Sequence, residues 1–209
     1  MYVPKHFEVD ELPLLHDMMS ANSFATLVTA SSEGSPFATH LPLLLDRDAG
    51  EFGALRGHVA RANPHWKDLD GVREALVIFS GAHGYISPAW YSTDRAVPTW
   101  NYVAVHAYGR PRVIEDPKRT MAVLCDLVEA YEDRREGRWR LESAPAEYIE
   151  GMARAIVAFE MPIERLEGKF KLSQNRPDDI EGVVEALRSQ GDPGSVALAE
   201  AMLSAPRSD

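Results

Sequence analysis

Apolar and polar residues alternate along the middle of the chain with the period of two that is typical of β-strands. Between residues 156 and 166, every second residue from Val157 to Ile163 is apolar, while Glu160 and Glu164 occupy positions on the opposite face. Similar stretches are separated by short turns rich in Gly, Ser and Asp. We predict further strands over residues 24–29, 36–45, 52–59, 74–80, 85–87 and 100–115.

Helices are predicted at both ends of the chain and between the strands. Asp116-Pro117 and Asp192-Pro193 each place a capping residue before a proline, and Asn63-Pro64 repeats this pattern before a short helix. The predicted helices cover residues 10–19, 64–69, 116–134, 145–152, 177–189 and 193–203. Because strands and helices do not alternate one for one, a doubly wound parallel sheet is disfavoured. A mainly β protein, an antiparallel barrel with flanking helices, fits best.

Composition and charge narrow the functional classes. The chain has 209 residues, of which 45% are hydrophobic and 26% charged, as in ordinary globular proteins. Its net charge of −10 makes it unfavourable for the whole surface to bind nucleic acid, because such binding needs many clustered cations. No apolar run approaches the roughly 20 residues of a membrane span, and no secretory signal is apparent at the start. We therefore expect a cytoplasmic protein with no membrane partner.

Several kinds of chemistry are disfavoured by what the sequence lacks. A single cysteine excludes an internal disulfide, and Cys125 lies in an apolar helical stretch where we predict a buried residue, not a nucleophile. The sequence has no Gly-rich nucleotide loop, no Gly-x-Ser-x-Gly elbow and no His-Glu-x-x-His motif. His58 and His65 are seven residues apart, which is not a common ligand spacing. We therefore predict no metal site.

Four clusters of polar and aromatic residues lie at predicted strand ends and loops, namely residues 39–42, 58–67, 85–102 and 169–176. The second cluster combines Arg61, His65 and Lys67 with a predicted helix start, which is an arrangement that binds anions. Together the clusters offer the stacking surface, amide groups and cations that a flat phosphorylated ligand needs. Each also has a structural interpretation: tryptophans fill cores, Asn63 caps a helix, and lysines protect sheet edges. The residues alone predict a site for a planar anionic ligand and leave these alternatives open.

At these clusters the sequence resembles the PaiB family, a branch of the FMN-binding split-barrel proteins that is related to pyridoxamine-phosphate oxidases. The matching segments are Met1-Tyr-Val-Pro-Lys-His-Phe7, Ala38-Thr-His-Leu-Pro42, His58-Val-Ala-Arg-Ala-Asn-Pro-His-Trp66, Tyr85-Ile-Ser-Pro88 with Trp90-Tyr91, Val97-Pro-Thr-Trp-Asn-Tyr102 and Lys171-Leu-Ser-Gln-Asn-Arg176. The resemblance implies an antiparallel Greek-key split β-barrel over residues 1–172, with a C-terminal helical extension over residues 173–209. It also implies a homodimer that binds FMN at the subunit interface and acts as a negative transcriptional regulator.

The resemblance also assigns the residues that would bind FMN. Those beside the isoalloxazine ring would be Thr39, His40, Leu41 and Pro42. Those around the ribityl chain and phosphate would be His58, Val59, Ala60, Arg61, Asn63, His65 and Lys67. The residues that would close the site, from the same subunit or its partner, would be Trp100, Asn101, Tyr102, Lys171, Gln174 and Arg176. Oxidase relatives carry Ser-Arg-Lys where this sequence has Asn63-Pro64-His65. We therefore expect Arg61, Lys67 or a cation of the partner chain to bind the phosphate.

Three functions remain open at this point. The first is the FMN-binding regulator, and the second is a flavin-dependent oxidoreductase in which His40, Tyr91 or His106 acts as acid or base. The third is a haem-handling or purely structural barrel. Direct DNA binding is possible, but the charge pattern does not support it. The four arginines of residues 134–140 are flanked by acidic residues, which favours a solvated, self-paired helix end.

Overall fold

The computed structural model describes residues 1–31, 34–93, 95–133 and 135–205. These residues form nine strands: β1 Glu8–Val9, β2 Phe24–Ala30, β3 Pro36–Pro42, β4 Leu44–Asp46, β5 Ala54–Ala60, β6 Ala75–Ile86, β7 Thr99–Gly109, β8 Arg112–Val113 and β9 Ile156–Lys171. The two strands predicted over residues 74–87 are one continuous strand, β6. The strand predicted over residues 100–115 ends at Gly109, because Pro111 lacks the N–H that a continuing ladder requires.

Five α-helices accompany the strands in the described ranges: α1 Leu12–Ala21, α2 Pro117–Glu132, α3 Ala146–Arg154, α4 Ile180–Gln190 and α5 Pro193–Ser204. The predicted helix caps are confirmed. The Asp116 side chain accepts a hydrogen bond from the backbone N–H of Lys118, and the Asp192 side chain accepts one from the backbone N–H of Ser195. The helix predicted over residues 64–69 is a 3₁₀ helix of five residues, Pro64–Asp68. No helix in the described part of the chain is long and apolar enough to cross a membrane.

The strands form one mostly antiparallel sheet in the order β3-β2-β6-β7-β9-β5-β4, and β1 and β8 also pair with β9. Contacts divide the chain into two compact units. The first unit comprises residues 1–18, 79–106 and 167–209, and the second comprises residues 19–78 and 107–166. The C-terminal helices, which we expected to form an extension from residue 173, belong to the first unit in this division. The boundary at residue 172 stays a prediction.

Each unit has its own apolar interior. The second unit buries inward residues of five strands: Leu27, Leu41, Leu55, Val59, Val77, Phe159 and Met161. The first unit buries strand residues together with one face of α4 and α5: Phe79, Ile86, Val105, Leu172, Leu187 and Leu198. The inward face predicted for residues 157–163 is confirmed, because Val157, Phe159, Met161 and Ile163 are all buried.

The prediction that Cys125 is buried is wrong. Val123 and Leu127 occupy the buried face of α2, and Cys125 between them is exposed. Partial desolvation and the nearby Glu142 and Asp126 carboxylates raise the pKa of the thiol, which keeps it protonated near neutral pH. The periodicity of this apolar stretch was too weak to show which of its residues face outward.

Candidate functional site

A hydrogen-bond network in the second unit joins strands β2 and β3 to the loop that follows β5. His65 is 1% exposed, and its Nε2 lies 2.9 Å from Thr29 Oγ1 and its Nδ1 2.7 Å from Thr39 Oγ1. Asn63 donates through Nδ2 to Thr39 Oγ1 at 3.0 Å and accepts from His65 N at 3.1 Å. Thr39, Asn63 and His65, which the sequence placed at one site, are therefore brought together by the fold.

The His65 imidazole is held neutral within this network. Burial lowers the pKa of His65, and the nearby Asp68 carboxylate opposes this shift only in part. A neutral ring donates through one nitrogen and accepts through the other. Thr39 Oγ1 accepts a hydrogen bond from Asn63, so its hydroxyl proton is available to donate. If His65 Nδ1 is the acceptor, the Thr39 hydroxyl donates to it. If Nδ1 carries the proton instead, the hydroxyl can donate to a molecule bound beside β3.

His40 lies on the opposite face of the β2–β3 pair from Thr39, because successive side chains of a strand alternate. Its Nδ1 is 2.9 Å from Thr26 Oγ1, and its ring stacks on Phe24 with centroids 6.5 Å apart and planes inclined by 22°. Phe24 is 69% exposed. Among the described residues, strand β3 also ends the strand order, with β2 as its neighbour. The segment from Thr39 to Pro42 thus combines an available strand edge with an exposed aromatic surface, although Leu41 itself is buried.

Arg61 is used to hold the end of α3. Its Nε donates to Arg154 O and its Nη2 to Ile156 O, both at 2.9 Å, and its backbone N–H donates to Ala155 O. A cation on the last carbonyls of a helix is favoured by the helix dipole. The loop is also stabilised by Trp66, whose Nε1 donates a hydrogen bond to the backbone oxygen of Arg61. A structural role thus accounts for two of the five N–H groups of the guanidinium.

The start of the 3₁₀ helix Pro64–Asp68 does not offer the free N–H groups expected there. Pro64 has no N–H, and the Asn63 side chain accepts the N–H of His65. The remaining cation of this loop is Lys67, whose Nζ lies 6.0 Å from the centroid of the Trp66 ring. A phosphate at this loop would therefore meet Lys67 and the unused N–H groups of Arg61, not a helix N-terminus.

His58, Val59 and Ala60 lie at the end of β5. Val59 is buried in the interior of the second unit, whereas His58 pairs in register with Ala158, which packs against α2. Burial lowers the pKa of His58, and its buried Nδ1 has no hydrogen-bond partner among the described residues. A buried polar atom without a partner is costly, so this nitrogen is suited to a bound ligand or water.

Trp100, Asn101 and Lys171, predicted to close the site, lie in the first unit. Trp100 is 56% exposed and meets the exposed Tyr85 edge to face at 6.2 Å. Asn101 is buried and donates to Ser173 Oγ at 2.9 Å, and its Oδ1 has no partner in the part of the chain described. Lys171 donates through Nζ to Thr99 Oγ1 at 2.7 Å and to Trp100 O at 2.6 Å. Burial and Lys169 lower the pKa of Lys171.

The other three predicted residues of this unit have internal partners. Tyr102 lies beneath Lys169 Nζ, 5.2 Å from the ring centroid. Gln174 accepts from Leu172 N at 2.8 Å and donates to Phe170 O, which closes the turn at the end of β9. Arg176 lies over Tyr91 at 5.0 Å and donates to Arg95 O at 3.2 Å.

Two further polar residues were missed by sequence reasoning. Asp179 is buried, accepts from both the backbone N–H and the hydroxyl of Ser92, and pairs with Arg176 at 3.4 Å. Thr29 is the buried partner of His65. The doublet Asp178-Asp179 after a proline is a signal that could have drawn attention to Asp179, whereas nothing in the alternation of β2 distinguishes Thr29.

The antiparallel sheet and its flanking helices form the architecture of the FMN-binding split-barrel fold. Two solved structures share this fold. The first is a FAD- and haem-binding protein from Mycobacterium smegmatis, which matches with a TM-score of 0.60 and 16% identity over 78% of this chain and 73% of its own. The second is the flavocytochrome Anf3 from Azotobacter vinelandii, which matches with a TM-score of 0.60 and 16% identity over 81% of this chain and 72% of its own. The predicted fold is confirmed.

The chain belongs to the family described as "Putative FMN-binding domain", which matches residues 1–165. The protease synthase and sporulation protein PAI 2 of Bacillus subtilis is 36% identical over 97% of this chain and 96% of its own length. An uncharacterised protein of Emericella nidulans is 31% identical over 91% of this chain and 92% of its own. The predicted PaiB-type family and its flavin cofactor are therefore confirmed.

Proposed function

We propose that this protein is an FMN-binding negative transcriptional regulator of the PaiB type, which binds the flavin at a homodimer interface. The similarity to the Bacillus subtilis protein, at 36% identity over 97% of the chain, carries the proposal, because it extends beyond the flavin-binding segments. A flavin-dependent oxidoreductase that does not bind DNA is the alternative. Both functions require the same cofactor, so flavin binding is the first property to measure.

We propose roles in flavin binding for several residues of the second unit. Thr39 and the edge of β3 would face the hydrogen-bonding edge of the ring system, and the Phe24–His40 stack offers an exposed surface for its plane. Lys67 would contribute positive charge to the phosphate. When bound, FMN supplies reversible electron or hydride transfer and visible absorbance. The part that Trp100, Lys171 and Arg176 take in flavin binding stays a prediction.

Thr39 and Thr29 form a matched pair for testing this site, because both hydroxyls bind His65 but only Thr39 belongs to the predicted flavin segment. We expect wild-type protein to quench FMN fluorescence saturably, and Thr39→Val to weaken the affinity at least about tenfold. Thr29→Val should lower thermal stability while changing the affinity by less than about threefold. Wild-type protein that never saturates with FMN would contradict the proposal, and equal losses in both variants would remove Thr39 from the flavin contact.

The two candidate functions differ in the use that the protein makes of its bound flavin. NAD(P)H-dependent bleaching of the bound FMN would favour the oxidoreductase. A DNA mobility shift whose affinity falls steeply with salt would favour direct regulation. The basic segment 134–140 includes Arg134, which lies outside the described residues. Within the part described, Arg138 pairs with Asp133 at 3.2 Å, and Trp139 N donates to Glu132. This self-pairing supports indirect regulation more than a DNA contact through this segment.

Homodimer formation is supported by large apolar side chains left open to solvent in both units. The most exposed of them are Tyr2, Phe24, Val72, Val97 and Tyr148, followed by Trp100. Many large apolar side chains left in solvent favour burial against a partner, most often in a symmetric dimer. We expect sedimentation velocity to give a species of twice the chain mass at micromolar concentration. A monomer that persists at every concentration would contradict the dimer without bearing on flavin binding.

A further inference from the structure

A cleft of about 760 Å³ opens in the second unit between the start of α2 and the last turns of α3. Its floor is apolar and is made by residues of β8, the segment after it, the start of α2 and β9: Val113, Ile114, Met121, Ile156, Val157 and Ala158. Trp66 and Arg61 form one end of it. Volumes of this order are typical of sites for small organic molecules, which are mostly apolar with a few well-placed polar groups.

Helix α3 contributes a wall that is incompletely packed. None of its residues is buried, although its sequence is strongly amphipathic. Glu150, Ala153 and Arg154 line the cleft, and their spacing of three and four residues places them on one face of the helix. The cleft therefore has a folded wall on this side, yet the space between α3 and the floor is left open.

The charges around the cleft favour an anion. Arg61, Lys118 and Arg154 line it together with Glu115 and Glu150, which leaves one excess positive charge in a chain whose net charge is −10. Arg61 donates two of its five N–H groups to backbone carbonyls, so its guanidinium is fixed in place with three groups remaining. A guanidinium that is already ordered loses little entropy when it binds a carboxylate.

We propose that this cleft binds a small aromatic carboxylate or sulfonate, with the ring on the apolar floor beside Trp66 and Met121 and the acid toward Arg61, Lys118 and Arg154. The flat indole and the adaptable thioether favour an aromatic body over a branched aliphatic one. The proposal goes beyond flavin binding, because none of the β3 residues predicted to contact the ring system lines the cleft. Of the residues assigned to FMN, only Arg61 does so.

The probe for this site is 2-naphthoate, titrated by isothermal calorimetry, with the neutral analogue 2-naphthalenemethanol as the comparison. We expect saturable binding of one naphthoate per chain and at least about tenfold weaker binding of the alcohol, equivalent to about 1.4 kcal/mol. The variant Lys118→Glu/Arg154→Glu should weaken naphthoate at least about tenfold. Ala153→Trp, which narrows the cleft without changing its charge, should abolish binding.

The control variant is Lys5→Glu/Arg135→Glu, which makes the same charge change at exposed positions outside the cleft. It should bind naphthoate like the wild type. All variants should retain FMN affinity and thermal stability, so failure of this proposal is distinguishable from failure of the flavin assignment. Absence of saturable binding to wild-type protein, equal affinity for acid and alcohol, or undiminished binding by Lys118→Glu/Arg154→Glu would each overturn the proposal.

Discussion

Gly109→Ala is expected to lower the free energy of unfolding by about 3 kcal/mol, because a Cβ at this buried position would overlap the Pro162 carbonyl oxygen. The same Cβ would lie 3.1 Å from Met161 Cγ, so it would crowd two neighbouring residues of β9. Backbone in a paired strand cannot withdraw as a flexible side chain can. The strain must therefore be spread through the β7 and β9 backbone.

Gly151→Ala provides the matched control for Gly109→Ala. Gly151 lies within α3, and its added methyl group would meet only Arg154 Nη2, at 3.8 Å. Alanine is the better helix former, so this variant should gain roughly 0.5–1 kcal/mol. Urea denaturation measures both changes, provided that the m values stay constant. A loss of less than about 1 kcal/mol for Gly109→Ala would show that the two strands are not held at this separation.

His65→Leu is expected to cost about 2–4 kcal/mol, because it removes two side-chain hydrogen bonds and leaves the Thr29 hydroxyl buried without its partner. Leucine is similar in volume to histidine, so the loss reports the hydrogen bonds more than a cavity. His83→Leu is the control, since His83 is exposed and its Nδ1 lies 3.0 Å from the nearby backbone oxygen of Gly81. It should change stability by less than about 0.5 kcal/mol.

The same pair of variants tests the protonation state of His65. Burial lowers its pKa below the ordinary 6.5, so the unfolded chain takes up a proton before the folded one does. The stability that the neutral His65 side chain contributes is therefore fully present above pH 6.5. It is lost as the pH falls toward the lowered pKa that His65 has in the folded protein. Wild-type protein should lose more stability than His65→Leu between pH 8 and pH 5.5. Parallel pH profiles would show that folding does not shift the pKa of His65.

Much of the fold could be predicted because its signals are local. The alternation along residues 156–166 and the cap-proline pairs at Asp116 and Asp192 depend on neighbouring residues, and the structure confirms them. Errors arose where local signals were weak or absent. Separate strands were predicted over residues 74–80 and 85–87, yet β6 continues through Gly81 and Gly84 because pairing within the sheet outweighs the low strand propensity of glycine.

The sequence by itself determined the strand and helix periods, the caps and the kinds of side chain available for an anionic planar ligand. Only the tertiary structure decided how those side chains are used. Thr39 bonds to His65, while His40 lies on the opposite face of the strand pair and bonds to Thr26. Arg61 donates to carbonyl oxygens that lie 93 and 95 residues further along the chain. Periodicity arises from the geometry of one segment. The partner of a polar group depends on which distant segment the folded chain brings within hydrogen-bonding distance, and that information is not contained in either segment alone.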